Sequence, residues 1–317
     1  MKKPVKLVIL LGSLLFILQV LFTGCSTPPA STPVQATPTP THFYSSAPAT
    51  LINSGINQPY CITIDSSSGS GDLWFVGNSS PGTLYQYNSG TGANVSSTDY
   101  YTGLSTYSYP IIVVVDPSGY LYVTDYSNNQ IEVLTASGTY VSTLGGLTKP
   151  EGVAINSAGT TLYVSEDTNP VLCLTFSITG AGYPKTYTPT ANSFPTAAGP
   201  YEPSRGTPLA LDTGGNVYAR DFNGTEIIKY HPDGSSPVTF IPAGLQPWGM
   251  AFDSSGNLFV TEQMSPEYIQ EYTSTGSASV SIGGFPASTN LTGITVDGSN
   301  NLYVSDTFHG YIFKITK

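Results

Sequence analysis

Basic residues are scarce in this sequence. Ten Lys and Arg stand against twenty Asp and Glu over 317 residues, a formal charge of −10, and charged side chains of either sign make up only 9%. That balance excludes nucleic acid as a partner, because neutralising phosphates needs a surplus of positive charge. Histidine is rarer still: His42, His231 and His309 are the only three, so zinc chemistry built on clustered ring nitrogens has little to draw on. Cysteine is limited to Cys25, Cys61 and Cys173, without the spacing of a metal knuckle or a disulfide framework. Cys61 and Cys173 read as free buried thiols, with a mutual disulfide as the alternative in an oxidising compartment. A nucleotide-binding glycine loop, a G-x-S-x-G elbow and H-E-x-x-H are all absent. No cofactor is expected on these grounds.

What is present begins with an address. MKKPVK, an apolar run from Leu7 to Phe22 and a small-residue exit have the form of a secretory signal. A single membrane-spanning helix is the competing reading, but the run is short of the ~20 residues a span requires. Leu21-Phe22-Thr23-Gly24-Cys25 resembles the bacterial lipobox, which implies cleavage before Cys25 and lipid attachment to it; Phe22 departs from the usual Leu. Residues 1–24 are therefore expected to be a lipoprotein signal peptide, and 25–41, rich in Ser, Thr and Pro, an extended tether. Lys2, Lys3 and Lys6 leave with the signal and no acid does, so the formal charge falls from −10 to −13. The expected location is the cell envelope, on a membrane held through Cys25 and facing the periplasm or the exterior.

Residues 42–317 repeat one pattern six times. An apolar run ends in Asp or Asn, a Gly-bearing turn follows, and then comes a Leu-Tyr-Val type strand that usually closes on an acid. The runs end at Asp65, Asp116, Asn156, Asp212, Asp253 and Asp297, and the following strands start at Leu73, Leu121, Leu162, Val217, Leu258 and Leu302. A third and a fourth β-rich stretch, such as QIEVLT from Gln130 and YVSTLGG from Tyr140, complete units of roughly forty residues. Four short strands per unit with Asx/Ser-Gly turns predict an all-β, six-bladed propeller of four-stranded antiparallel blades. The last copy stops after its third strand, so residues near 43–52 are expected to supply the outer strand of blade six and close the ring. A solenoid, the competing repeat architecture, would need distinct capping repeats. A monomer is expected.

The pattern P-x-G-[VI]-A-[VI]-D, then G-x-L-Y-V-[ST]-D, resembles the NHL-repeat family over residues 59–317, most clearly in Asp116–Ile131, Trp248–Glu262 and Asp297–Ile312. The resemblance implies recognition of proteins or other ligands, and it makes His309, in DTFHGYI, a structural turn residue. Some propellers of similar appearance are lyases that place histidines and a metal at the channel. Others resemble lactonases that hold a hard cation on carboxylates.

In such a blade the first strand begins, and the second ends, on one face of the ring. Strand starts bring Tyr60, Ile111, Glu151, Thr207, Trp248 and Thr292 to one channel mouth, and strand ends bring Asp125, Glu166, Asp221, Glu262 and Asp306. The acids are the kind of residue that accepts loop N–H groups. The departures from the repeat, Glu151, Glu166 with Asp167, Arg205, Arg220 and Trp248, are functional candidates, together with Tyr60 among the strand starts, Glu262 among the strand ends and Tyr109 from the excursion that begins at Asp99. A second Tyr- and Pro-rich excursion begins at Tyr183. Rigid aromatics in such loops suit peptide or sugar binding, and packing over the ring is the alternative. The reading is a binding or scaffolding module for a protein, peptide or glycan partner. The alternative is a metal-dependent lactonase-like hydrolase or lyase using Glu151, Glu166, Glu262 and Asp306.

Overall fold

The computed structural model describes residues 47–67, 71–77, 82–99, 110–167, 173–180, 183–190, 209–221 and 225–317, and the backbone of 9–11 and 14–16. The chain divides into two compact units, Met1–Thr37 and Pro38–Lys317. In the first, Ile9–Leu11 pairs antiparallel with Leu14–Phe16. No helix among the described residues is long and apolar enough to cross a membrane. Cys25 lies outside the described residues.

The second unit is a six-bladed β-propeller. From inner to outer strand, blade one is Pro59–Asp65, Asp72–Gly77, Thr83–Asn88 and Asn94–Asp99. Blade two is Pro110–Val115, Leu121–Asp125, Gln130–Leu134 and Tyr140–Leu144. Blade three is Pro150–Ile155, Thr161–Glu166, Cys173–Thr179 and Thr186–Pro189, and blade four is Ala210–Leu211, Val217–Arg220, Ile227–Tyr230 and Val238–Ile241. Blade five is Pro247–Phe252, Leu258–Glu262, Tyr268–Tyr272 and Ala278–Ile282. Blade six takes Leu291–Val296, Leu302–Asp306 and Tyr311–Ile315 from the end of the chain and Ala49–Ile52 from its beginning. Ile312 pairs with Ile52 and Lys314 with Ala49, so the ring closes as the repeat count predicted.

The second strand of each blade is sandwiched between neighbouring sheets, which is why it reads as an unbroken apolar run rather than an alternating one. Leu121, Tyr122, Val123, Leu302, Tyr303 and Val304 are all buried. Each such side chain contributes about 1.5–3 kcal/mol when fully buried. The inner strands carry a register shift near their start in five blades, at Pro59/Cys61, Pro110/Val113, Pro150/Val153, Pro247/Met250 and Leu291/Ile294.

A bulge leaves backbone groups off the ladder, and here a hydroxyl on the second strand satisfies them. Ile112 N–H donates to Thr124 Oγ1, Gly152 to Ser165 Oγ, Gly249 to Thr261 Oγ1 and Gly293 to Ser305 Oγ, at 2.7–2.9 Å. Two of these hydroxyls also donate onward to the next blade, Thr124 to Glu151 O and Thr261 to Thr292 O. The repeated glycine has a steric cause. A Cβ on Gly249 would sit 2.1 Å from Thr292 O, and one on Gly293 would sit 2.7 Å from Ile62 N. Together these contacts explain P-x-G and Leu-Tyr-Val-[Ser/Thr] as one device for stapling blade to blade.

The opposite face is built of short Asx turns. Asp116, Asp212, Asp253 and Asp297 each accept N–H groups from residues two and four further on. In three of them the second oxygen takes the side chain of the following Asn, but Asp116 Oδ2 is held by Lys185 Nζ at 2.9 Å and Tyr183 Oη at 3.1 Å. Tyr183 therefore belongs to the blade-three outer hairpin and stacks on Tyr120 of blade two. The excursion expected from Tyr183 onwards begins later than the sequence suggested, because its first residues complete blade three. Cys61 is a buried free thiol, pushed up to about 11 by burial.

Candidate ligand groove at the channel mouth

Inner strands from all six blades line a central channel of about 290 Å³, walled by residues such as Val113, Val153, Ala210, Met250 and Ile294. Beside it, on the face where inner strands begin, lies a groove of about 750 Å³ spanning blades five, six and one. The register brings strand starts and strand ends together on this face around the whole ring: Pro110 pairs with Asp125, Pro150 with Glu166, Pro247 with Glu262 and Leu291 with Asp306.

Four of the sequence-derived candidates meet at this mouth. Tyr60 and Trp248 pack edge to face with ring centres 5.8 Å apart. The Arg220 guanidinium lies 5.1 Å from the centre of the Trp248 ring, and its Nη1 donates to Pro247 O at 2.9 Å. Burial lowers the Arg220 pKa from its usual value, and Tyr60, Asp221 and Glu151 counter that shift, so Glu151 sits in the field of the same guanidinium. Arg220 occupies the repeat position that Thr124, Ser165, Thr261 and Ser305 fill in other blades. Like Thr124 and Thr261 it donates to the next blade, but to Pro247 O, one residue earlier than their acceptors, and it brings a cation to the mouth.

Glu166 and Glu262 have a different occupation. Glu166 Oε1 accepts Thr148 N–H at 2.6 Å and Glu262 Oε2 accepts Gln246 N–H at 2.9 Å, each beneath the loop that leads into the inner strand. Both are buried and neither lines the groove. Burial raises both carboxyls, Glu262 to about 7, against the opposing backbone N–H. Asp221 and Asp125 clamp their own loops in the same way, through Thr225 and Glu226 N–H and through Asn128. Tyr109 and Arg205 lie outside the described residues, as does Thr207.

Asp306 organises the groove wall. Fully buried, it accepts the N–H groups of Asn290, Phe308 and His309, and its Oδ2 is 2.6 Å from His309 Nδ1. Those contacts set the turn that presents Phe308 and His309 to the groove. His309 also stacks on Tyr311. Sequence reasoning did not single out Asn57, Gln58, Gln263, Asn290 and Phe308, which line the same groove. Gln58 has a left-handed φ of 45°, but its blade-three counterpart Lys149 has 47°, so this backbone strain belongs to the repeat and not to the groove. Among the described residues no group of three or more His, Cys, Asp or Glu is arranged to hold a metal ion.

No family model and no curated protein matches the chain. Solved structures do. A catalytically inactive virginiamycin B lyase from Staphylococcus aureus with quinupristin superposes with a TM-score of 0.57 at 16% identity, over 85% of this chain and 98% of that one. A luciferin-regenerating enzyme gives 0.59 at 13% identity, over 86% and 96%. A protein of unknown function from Bacteroides thetaiotaomicron gives 0.61 at 16%, over 85% and 72%. At such identities the likeness establishes the β-propeller fold alone, and fold does not fix function.

Proposed function

We propose that this chain is a lipid-anchored envelope protein whose NHL-like propeller binds a ligand in the groove between blades five, six and one. The observation that carries the reading is the immobilised Trp248. Arg220 lies over its ring, Tyr60 meets it edge to face, and it opens on a groove of about 750 Å³, within the ~300–1,000 Å³ of ordinary ligand sites. An aromatic ring already fixed in place gives up little entropy on binding, which favours an anchor of this kind.

A recognition role agrees with the use made of the acids. Of the four carboxylates that a metal-dependent reading would enlist, Glu151, Glu166, Glu262 and Asp306, the last three are each engaged by backbone N–H groups of their own loops. Attachment through Cys25 and the 25–41 tether would hold the propeller clear of a membrane, since two or more acyl chains are needed for stable anchoring. Metabolic labelling with a fatty acid tests the anchor: label lost in Cys25→Ser supports it, and label retained refutes it. For recognition, the test is a soluble-ligand screen on the full-length chain, with Trp248→Ala abolishing or weakening whatever binds.

A further inference from the structure

We infer that the groove's ligand is a neutral oligosaccharide, an assignment that rests on the recognition reading above and narrows it to one chemical class. Although the chain is strongly acidic, none of the side chains lining the groove is Lys, Arg, Asp or Glu. The polar groups there are mostly uncharged amides and hydroxyls, Asn57, Gln58, Gln263 and Asn290 with Thr292 and Thr307, and the one imidazole, that of His309, has its Nδ1 2.6 Å from Asp306 Oδ2. An amide offers donors and acceptors side by side, the arrangement that complements the vicinal hydroxyls of a sugar ring. Gln263 Nε2 donates to Asn290 Oδ1 at 2.7 Å and lies 3.5 Å from Leu291 O. That leaves the Gln263 carbonyl oxygen and the Asn290 amino group as a neighbouring acceptor and donor.

The apolar surface in the groove is mainly aromatic, with Ile56 as its one aliphatic side chain. Trp248 and Tyr60 form one platform, and Phe308 forms another at the rim. Phe308 is 68% exposed, more than any other large hydrophobic residue among those described. Asp306 holds its backbone N–H at 3.0 Å and the His309 ring meets it edge on, so the exposed ring is positioned and not merely stranded. Flat rings flanked by neutral amides match the C–H faces and hydroxyl rims of a pyranose chain. A charged peptide or an anionic glycan would find no Lys, Arg, Asp or Glu on these walls, since the Arg220 guanidinium nearby is engaged with the Trp248 ring and Pro247 O and the His309 ring with the buried Asp306, and an extended hydrophobic peptide would meet four amides.

The test uses the full-length chain in detergent, titrated with neutral glucan, mannan, xylan and chitin hexamers, with uronic-acid and sulfated oligomers, and with a nonapeptide library. Isothermal titration calorimetry is the readout, since a signal from Trp248, the tryptophan that lines the groove, would be lost in the variant that replaces it. The expected result is saturable binding of at least one neutral hexamer, unchanged by added salt, with affinity reduced about tenfold or more in Trp248→Ala, as for a hot-spot aromatic. Phe308→Ala, at an exposed position that leaves the core intact, should reduce it several-fold. Groove-dependent binding of an anionic oligomer or a peptide instead would overturn the neutral-glycan assignment and leave the recognition reading standing. Neutral-hexamer binding that neither variant alters would move the site elsewhere and also overturn the assignment. No binding by any of the three sets at millimolar concentration would overturn both.

Discussion

Arg220 holds Trp248 from two sides of one peptide: its guanidinium lies over the indole at 5.1 Å while Nη1 bonds the carbonyl of Pro247, the preceding residue. The first prediction follows from this clamp. Arg220→Thr restores the residue type of the other blades and removes the cation–π contact, which is worth about 0.5–2 kcal/mol. Acrylamide quenching of tryptophan fluorescence should rise in the variant, because Trp74 is buried and only Trp248 is open to a change in mobility. Unchanged quenching would mean that Tyr60 alone fixes the ring.

Asp306 is the second target. Asp306→Ala leaves the N–H groups of Asn290, Phe308 and His309 without their acceptor, at about 1–3 kcal/mol for each group that stays buried. The urea midpoint should fall markedly, and more than for His309→Ala, which removes a partner that is partly exposed. Equal losses would place the stabilising role on the imidazole instead.

Ring closure gives the third prediction. Truncation before Asn53 removes Ala49–Ile52, exposes the edge of Tyr311–Ile315 and uncovers Ile312 and Phe313. The melting temperature of the truncated chain should drop, and the protein should gain a tendency to associate through blade six. A melting curve that superposes on the full-length one would contradict the closure.

Glu132 makes stability depend on pH. It is fully buried on the third strand of blade two, takes one weak bond from Gln130 Nε2, and is pushed up to about 8 by burial and by the nearby Asp125 carboxylate. The folded state thus keeps a proton that the unfolded chain gives up above about 4.5. Stability is therefore highest below that value, declines as pH rises from about 4.5 to about 8, and levels off above. Glu262, raised to about 7, adds the same sign over a narrower window. Denaturant midpoints measured from pH 5 to pH 9 should fall, and Glu132→Gln should flatten most of the slope. A flat wild-type profile would show that neither carboxyl carries a retained proton.

The fold was legible in the sequence because the same physical demands recur in every blade. A glycine where two backbones nearly touch, a hydroxyl beneath four of the five bulges and an Asp or Asn at each turn leave repeated letters, and five of the six blades display the bulge itself. Glu151, Arg220 and Trp248 were legible for the opposite reason, as departures from that repeat, and Tyr60 as a strand start at the mouth. Gln263, Asn290 and Phe308 were not, since loop residues that owe nothing to blade geometry have no pattern to break. The Phe next to His309 in the DTFHG turn was the one available signal. Glu166 and Glu262 looked like candidates because an acid at a channel mouth resembles a ligand, whereas both bind the loop above them. The outer hairpin of blade three was hidden by Pro184 and Pro189, which interrupt the strand pattern.

The central claim is that recognition takes place on the face bearing Trp248 and not on the face of Asx turns. It is tested most directly by side-by-side binding isotherms of the full-length chain, Trp248→Ala and His231→Ala, using any oligosaccharide or peptide that binds the parent protein. His231 is exposed in a turn of blade four on the opposite face, so its loss should leave affinity unchanged, while Trp248→Ala should weaken binding by about tenfold or more. Equal affinity in Trp248→Ala, with an unfolding curve that matches the parent, would contradict the account.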